Sequence, residues 1–165
     1  MSNLTELCKS YGPTLEKVAP WLDGECLLKA IAMNESSLGA YNLPRFEKAY
    51  SYNYNGLYAN RDLWKRYGDW AAMSYSSWQI MYPTAVELGF TGSPIDLWHD
   101  ATAINYVVEL IKRRIIAKGA TEIKQVFDAY NSGSFKDLIV PKDYIEKGCK
   151  NYEMFRKSKY GITDT

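Results

Sequence analysis

An apolar stripe between Ser93 and Gly119 constrains this chain more than any other stretch. Leu97, Ala101, Ile104, Val108, Ile111 and Ile115 recur at alternating intervals of four and three, and Ala103, Val107 and Leu110 widen the stripe. Ser93-Pro94-Ile95-Asp96 opens it with a capping serine, a proline at the first helical position and an acid two further on. A helix this apolar must be enclosed by others. The spacing predicts a single domain over residues 1–165 packed around one central core helix. At 165 residues, 47% of them hydrophobic, the chain can bury such a core without disulfides or metal.

Shorter patterns flank the stripe. A short helix is expected from Pro13-Thr14 through Val18, stopping near Pro20. After the break at Gly24, a second carries Leu27, Leu28 and Ile31 to about Glu35. Thr84 to Leu88 reads as a helix ended by Gly89. Thr121 is expected to cap a helix with Ile123, Val126, Phe127 and Tyr130 inward, ending near Gly133. Pro141 opens the last helix, with Tyr144, Ile145, Tyr152 and Phe155 as its inner face and a loose tail after Ser158. Between 39 and 69 the periodicity disappears among tyrosines, asparagines and glycines. Asn53-Tyr54-Asn55-Gly56 is a turn signal there, and a small hairpin or helical turns both fit. The expected fold class is all-α, or mostly α with a minor hairpin.

Charge and composition restrict partners. Lys+Arg 20 against Asp+Glu 19 leaves +1, which lacks the basic footprint of a nucleic-acid binder. Tyrosine is unusually frequent, at 14 residues. Its flat apolar face and hydroxyl suit sugar rings, and equally a protein interface or a tyrosine-rich core. Cys8, Cys26 and Cys149 cannot all pair within the chain and lack metal-ligand spacing, so reduced thiols, no metal and no cofactor are expected. Met1 to Glu6 has no basic start followed by an apolar run, and no segment approaches the roughly 18 apolar residues of a membrane span. A cytoplasmically made, monomeric chain without membrane insertion is expected.

Against that background one carboxylate is out of place. Counting back from Glu35 by seven, four and three gives Leu28, Ile31 and Ala32, so Glu35 continues an apolar stripe. A carboxylate there is a paired core charge, a frayed end turned to solvent, or an acid with a raised pKa; periodicity leaves all three open. Three further polar blocks fall at or near helix ends: Ser76-Ser77-Trp78-Gln79 before a helix, Ala129-Tyr130-Asn131-Ser132-Gly133 at the end of another, and Tyr144 early in the last. His99, the single histidine, reads as solvated or capping. No zinc-protease helix, phosphate-cradling loop or nucleophile elbow is present.

In this order the blocks resemble the soluble lytic transglycosylases and their goose-type lysozyme-like relatives. Glu35-Ser36 matches the Glu-Ser pair after an apolar helix, and Gln79 with Thr84-Ala85 matches a Gly-Leu-Met-Gln-like block leading into a Thr-Ala helix. Ala129 to Gly133 matches an Ala-Tyr-Asn-x-Gly block in full, and Tyr144-Ile145 matches a tyrosine near the start of the last helix. The likeness covers roughly residues 22–157, and Pro44-Arg45-Phe46-Glu47 is similar to a segment of some phage-borne relatives. Ser76, Ser77 and Trp78 depart from the usual Gly, Leu and Met, which implies subsites of a different shape.

The resemblance implies a lysozyme-like fold and cleavage of the MurNAc–GlcNAc β-1,4 bond of peptidoglycan, with formation of 1,6-anhydro-MurNAc. Glu35 would act as acid and then base. Ser36 would orient the site, Gln79 and Asn131 would hold sugar or N-acetyl groups with Tyr130 beside them, and Tyr144 would sit against Glu35 or the reacting ring. Core packing for Tyr130 and a helix cap for Asn131 remain equally open. The loop carboxylates Glu47, Asp62 and Asp69 read first as solvated loop charges, with Glu47 the candidate if a second catalytic carboxylate acts. The rival readings are a hydrolytic muramidase of the same fold and a non-catalytic glycan-binding or virion structural protein. The wall would be reached by holin-type release, by a secretion system or as part of a virion.

Overall fold

The computed structural model describes residues 4–50, 61–134 and 141–162. Two helices frame the candidate site. Helix α1 (Leu4–Glu16) crosses α2 (Gly24–Ser36) at Gly12 and Gly24, where a Cβ on Gly24 would stand 2.1 Å from the Gly12 carbonyl oxygen. Only glycines permit that approach. Helix α1 begins well before the expected Pro13 because Cys8, Gly12 and Leu15 form a buried stripe at intervals of four and three. Pro13 therefore lies inside the helix rather than opening it.

Helix α2 also packs along α7 (Lys142–Tyr160), and α6 (Ile123–Ser132) packs on α7 in turn. The start of α2 is fixed by Asp23. Its Oδ1 accepts the Cys26 amide at 2.9 Å, while its own amide donates to the Tyr152 hydroxyl at 2.7 Å. Lys159 Nζ and the Tyr160 hydroxyl reach the other carboxylate oxygen at 2.9 and 2.6 Å. The expected loose tail after Ser158 is thus helical and anchored to Tyr160. At α6 the cap is Glu122, not Thr121; the Gln125 side chain takes the Glu122 and Thr121 amides.

The central helix is real but segmented. A 3-10 turn (Pro94–Trp98) carries the Ser93–Asp96 capping box, and extended His99 separates it from α5 (Asp100–Leu110). A π-helical turn follows at Ile111–Ile115, then a 3-10 turn at Ile116–Lys118, closed by left-handed Gly119. Leu97, Ile104, Val108, Ile111 and Ile115 are buried as the stripe predicts. Ala101 is exposed, because the break at His99 puts α5 out of phase with the turn before it.

The region without periodicity supplies the β-structure. Strand β1 (Arg45–Phe46) pairs antiparallel with β2 (Met73–Tyr75), and β2 with β3 (Ile80–Met81), in the order β1-β2-β3. Between β1 and β2 lie a 3-10 turn at Lys48–Tyr50, α3 (Arg61–Tyr67) and a 3-10 turn at Gly68–Ala72, so strand and helical turns both occur. The turn expected at 53–56 falls outside the described residues. Beyond β3, α4 (Tyr82–Glu87) starts with Pro83 in its first turn. The fold is mostly α with one small sheet. Among the described residues no helix is long and apolar enough to cross a membrane.

Candidate active site

Glu35 occupies the last turn of α2, which ends where Ser37 and Leu38 turn left-handed at φ 52° and 57°. Inward phase and an abrupt stop leave its side chain only 7% exposed. Burial raises its pKa above the ordinary glutamate value. The helix C-terminus presents carbonyl dipoles that also disfavour a second negative charge. Opposing these, the Tyr144 hydroxyl donates to Oε1 at 2.5 Å, and Arg45 Nη2 stands 3.6 Å from Oε2. The second distance is an ion-pair contact, too long for a hydrogen bond. Burial outweighs both, and the net shift is upward.

Phe127 and Asn34 hold Tyr144, and Asn151 backs Asn34. Its ring meets Phe127 edge-on at 6.4 Å, its carbonyl accepts Asn34 Nδ2 at 3.1 Å, and Asn34 Oδ1 accepts Asn151 Nδ2 at 2.9 Å. The two asparagines pin the end of α2 to α7 and so fix the Tyr144–Glu35 geometry. Neither stands out in the sequence. Asn34 adjoins Glu35, a spacing that puts the two side chains on different faces of the helix, and its pairing with Asn151 joins two helices and leaves no local pattern.

Ser36 does not face the opening. Its hydroxyl donates to the Ser77 carbonyl at 2.6 Å and accepts the Gly39 amide at 2.8 Å. It thereby ties α2 to the four-residue turn 76–79 between β2 and β3. Asp100 holds the same turn, accepting the Ser77 amide at 2.8 Å and hydroxyl at 2.7 Å. Trp78, fully buried, donates its indole N–H to the Leu28 carbonyl at 2.9 Å. These bonds hold Ser76 and Gln79 at φ 71° and 48°, a left-handed conformation that costs a non-glycine residue about 1 kcal/mol.

Gln79 and Tyr130 are both committed to this turn. The Gln79 amide donates to the Ser76 carbonyl at 2.8 Å and the Leu43 carbonyl at 3.3 Å, and its Oε1 accepts from Ser74 at 2.9 Å. Tyr130 donates to the Trp78 carbonyl at 2.8 Å; burial and the nearby Glu35 charge push its pKa well up. Both still line a cavity of about 160 Å³, together with Thr84, Arg114 and exposed Asn131. Asn131 precedes the helix end, which Gly133 caps instead. Five candidates, Glu35, Gln79, Tyr130, Asn131 and Tyr144, are therefore brought to one region, with Ser36 beneath it.

Glu47 enters through Arg45. The guanidinium Nε lies 2.6 Å from Glu47 Oε1 while Nη2 faces Glu35. The two carboxylates thus share one guanidinium. Glu47 follows β1 directly, two residues from Arg45. The charges that act on Glu35 are those of Arg45 and Glu47, ahead of Asp62 and Asp69.

A larger cavity, about 390 Å³, opens at the other end of α2 beside Trp21 and Asp23. Burial favours a neutral Asp23, but hydrogen bonds from Tyr160, the Cys26 amide and Lys159 override it and hold the carboxyl at about 2. A carboxylate held that low has no proton to donate at neutral pH, which leaves Glu35 as the candidate acid. Comparison of the chain with protein-family models, curated sequences and solved structures found no match. The site therefore rests on its geometry: a buried acid, a hydroxyl orienting one of its oxygens, a cation facing the other, and nearby a cavity lined by Gln79, Tyr130 and Asn131.

Proposed function

We propose that this chain is a lytic transglycosylase that cleaves the glycan strands of peptidoglycan, with Glu35 as its acid and base. The observation that carries the reading is the state of Glu35: nearly buried, raised in pKa and fixed by Tyr144 through Oε1 alone. An acid whose pKa burial raises keeps its proton to a higher pH than an exposed glutamate does, and can pass it to a glycosidic oxygen. Oε2 is the oxygen available for that transfer. As the proton reaches the bridging oxygen, the bond from MurNAc C1 to it breaks and GlcNAc leaves with a hydroxyl. The Glu35 carboxylate then takes the proton of the MurNAc 6-hydroxyl while O6 bonds to C1. The 1,6-anhydro ring closes, Glu35 is protonated again, and no water is consumed.

A detail of the turn 76–79 supports the family resemblance. Ser76 stands where the transglycosylases have glycine, and it takes a φ of 71°, which glycine adopts without strain. The tyrosine of the last helix likewise meets the acid, as the resemblance implies.

The second reading is a muramidase that adds water, and the Glu35–Arg45–Glu47 arrangement favours it. There Glu47 would activate the water or the sugar carbon while Glu35 protonates the leaving oxygen. Digestion of cell walls in ¹⁸O-labelled water, followed by mass spectrometry of the muropeptides, separates the two. Unlabelled anhydro ends are expected; reducing ends carrying ¹⁸O overturn the transglycosylase in favour of the hydrolase.

A further inference from the structure

The cavity beside Tyr130 has one cation among its described lining residues, Arg114. It projects from the π-helical turn Ile111–Ile115, a local widening of the helix that recurs at functional sites. Its Nη2 donates to Glu87 Oε2 at 2.6 Å, and both side chains are about half exposed. A guanidinium has five N–H donors in a planar fork. Among the described residues the other donors of Arg114 have no hydrogen-bond partner, so one edge of the fork is open to a carboxylate. Elsewhere the wall offers Asn131, Thr84 and Tyr130, groups suited to the neutral amides and hydroxyls of N-acetylated sugars.

The sugar backbone of a peptidoglycan strand is neutral, and its carboxylates hang from the muramyl branch. We propose that Arg114 is a specificity residue that recognises a carboxylate on that branch, either the lactyl carboxylate itself or one on an attached stem peptide. The inference rests on the glycan-cleaving reading above. Glu87 competes for the same guanidinium and holds it in place until the strand enters.

The test uses four soluble strand preparations: peptide-bearing, in which the lactyl group is already an amide; amidase-stripped, with a free lactyl carboxylate; and each of these two with its carboxylates converted to amides. For the wild type, KM is expected to be lowest on the preparation that carries the recognised carboxylate and to rise about tenfold on its amidated counterpart. A low KM on stripped strands only identifies the lactyl group; a low KM on peptide-bearing strands only identifies the peptide. Arg114→Gln is expected to raise KM about tenfold on that preferred preparation only, with kcat held, and Glu87→Gln to lower it there. Equal losses for Arg114→Gln on the preferred strands and their amidated counterpart overturn the inference, as does a wild type indifferent to amidation of both kinds of strand. A wild type inactive on all four preparations removes the glycan-cleaving reading itself.

Discussion

The hydroxyl of Tyr144 donates to Oε1 of Glu35 at 2.5 Å, joining the first turn of α7 to the last turn of α2 across 109 residues of chain. That bond stabilises the carboxylate, yet burial keeps the Glu35 pKa above its ordinary value. The two effects act on different oxygens: Tyr144 fixes Oε1, and Oε2 is left facing Arg45 across 3.6 Å. The acid is thus oriented without being fully paired.

Glu35→Gln removes the transferable proton while keeping the shape. Clearing of purified cell walls is expected to fall by about a thousandfold, within the usual contribution of a general acid. Stability should move the other way. Because the folded-state pKa lies above the ordinary 4.5, the folded chain binds more protons between the two values. Wild-type stability therefore falls as pH rises through that window. The variant should melt higher than wild type at neutral pH and alongside it below pH 4. A variant that clears walls as well as wild type would remove Glu35 from the chemistry.

Tyr144→Phe keeps the ring against Phe127 and deletes one hydrogen bond to the Glu35 carboxylate. Since that bond lowers the Glu35 pKa, losing it raises the pKa further. The high-pH limb of the pH–rate profile, where Glu35 loses its proton, should shift upward. Turnover should drop by about tenfold as orientation is lost. A limb that moves to lower pH contradicts the assignment.

Helix phase puts Glu35 on the stripe of Leu28, Ile31 and Ala32, and the fold then decides between a solvent-facing end and a buried acid. The small sheet is harder to see, since β1 and β3 have two residues each and such short strands show no alternation. The breaks at His99 and Ile111 leave no mark on apolar spacing: the stripe reads without interruption through Ala101, which the break at His99 leaves exposed. Arg45 is hidden for another reason. Its pairing with Glu35 depends on how β1 lies over the end of α2, a tertiary relation that local pattern does not encode. Ser36 shows the reverse: its place in the motif is plain, but its role as a tie to Ser77 exists only in the fold.

Glu47 separates the two chemistries. Its charge helps raise the Glu35 pKa, and it holds Arg45 at 2.6 Å. Glu47→Gln removes that repulsion and frees Arg45 to approach Glu35, so both changes lower the Glu35 pKa. With a single-acid mechanism the high-pH limb should move down and peak turnover should stay within about threefold. A loss of about a hundredfold or more instead marks Glu47 as the second catalytic carboxylate.

Asp23 tests whether the far end of α2 is a structural anchor. Its carboxylate caps α2 and gathers Lys159 and Tyr160 from the end of α7. Asp23→Ala is expected to cost about 1–2 kcal/mol through the lost cap alone, read as a lower Tm. The linkage has the opposite sign to that of Glu35. With its folded pKa held at about 2, below the ordinary 3.8, Asp23 contributes stability that is complete above 3.8 and is lost as pH falls toward 2. Wild type should therefore lose Tm over that interval more steeply than Asp23→Asn. The variant should keep its neutral-pH activity while folded, since Asp23 and Glu35 stand at opposite ends of the helix. Parallel acid melts for the two proteins would show that the Lys159 and Tyr160 contacts do not hold the end of α7 in solution.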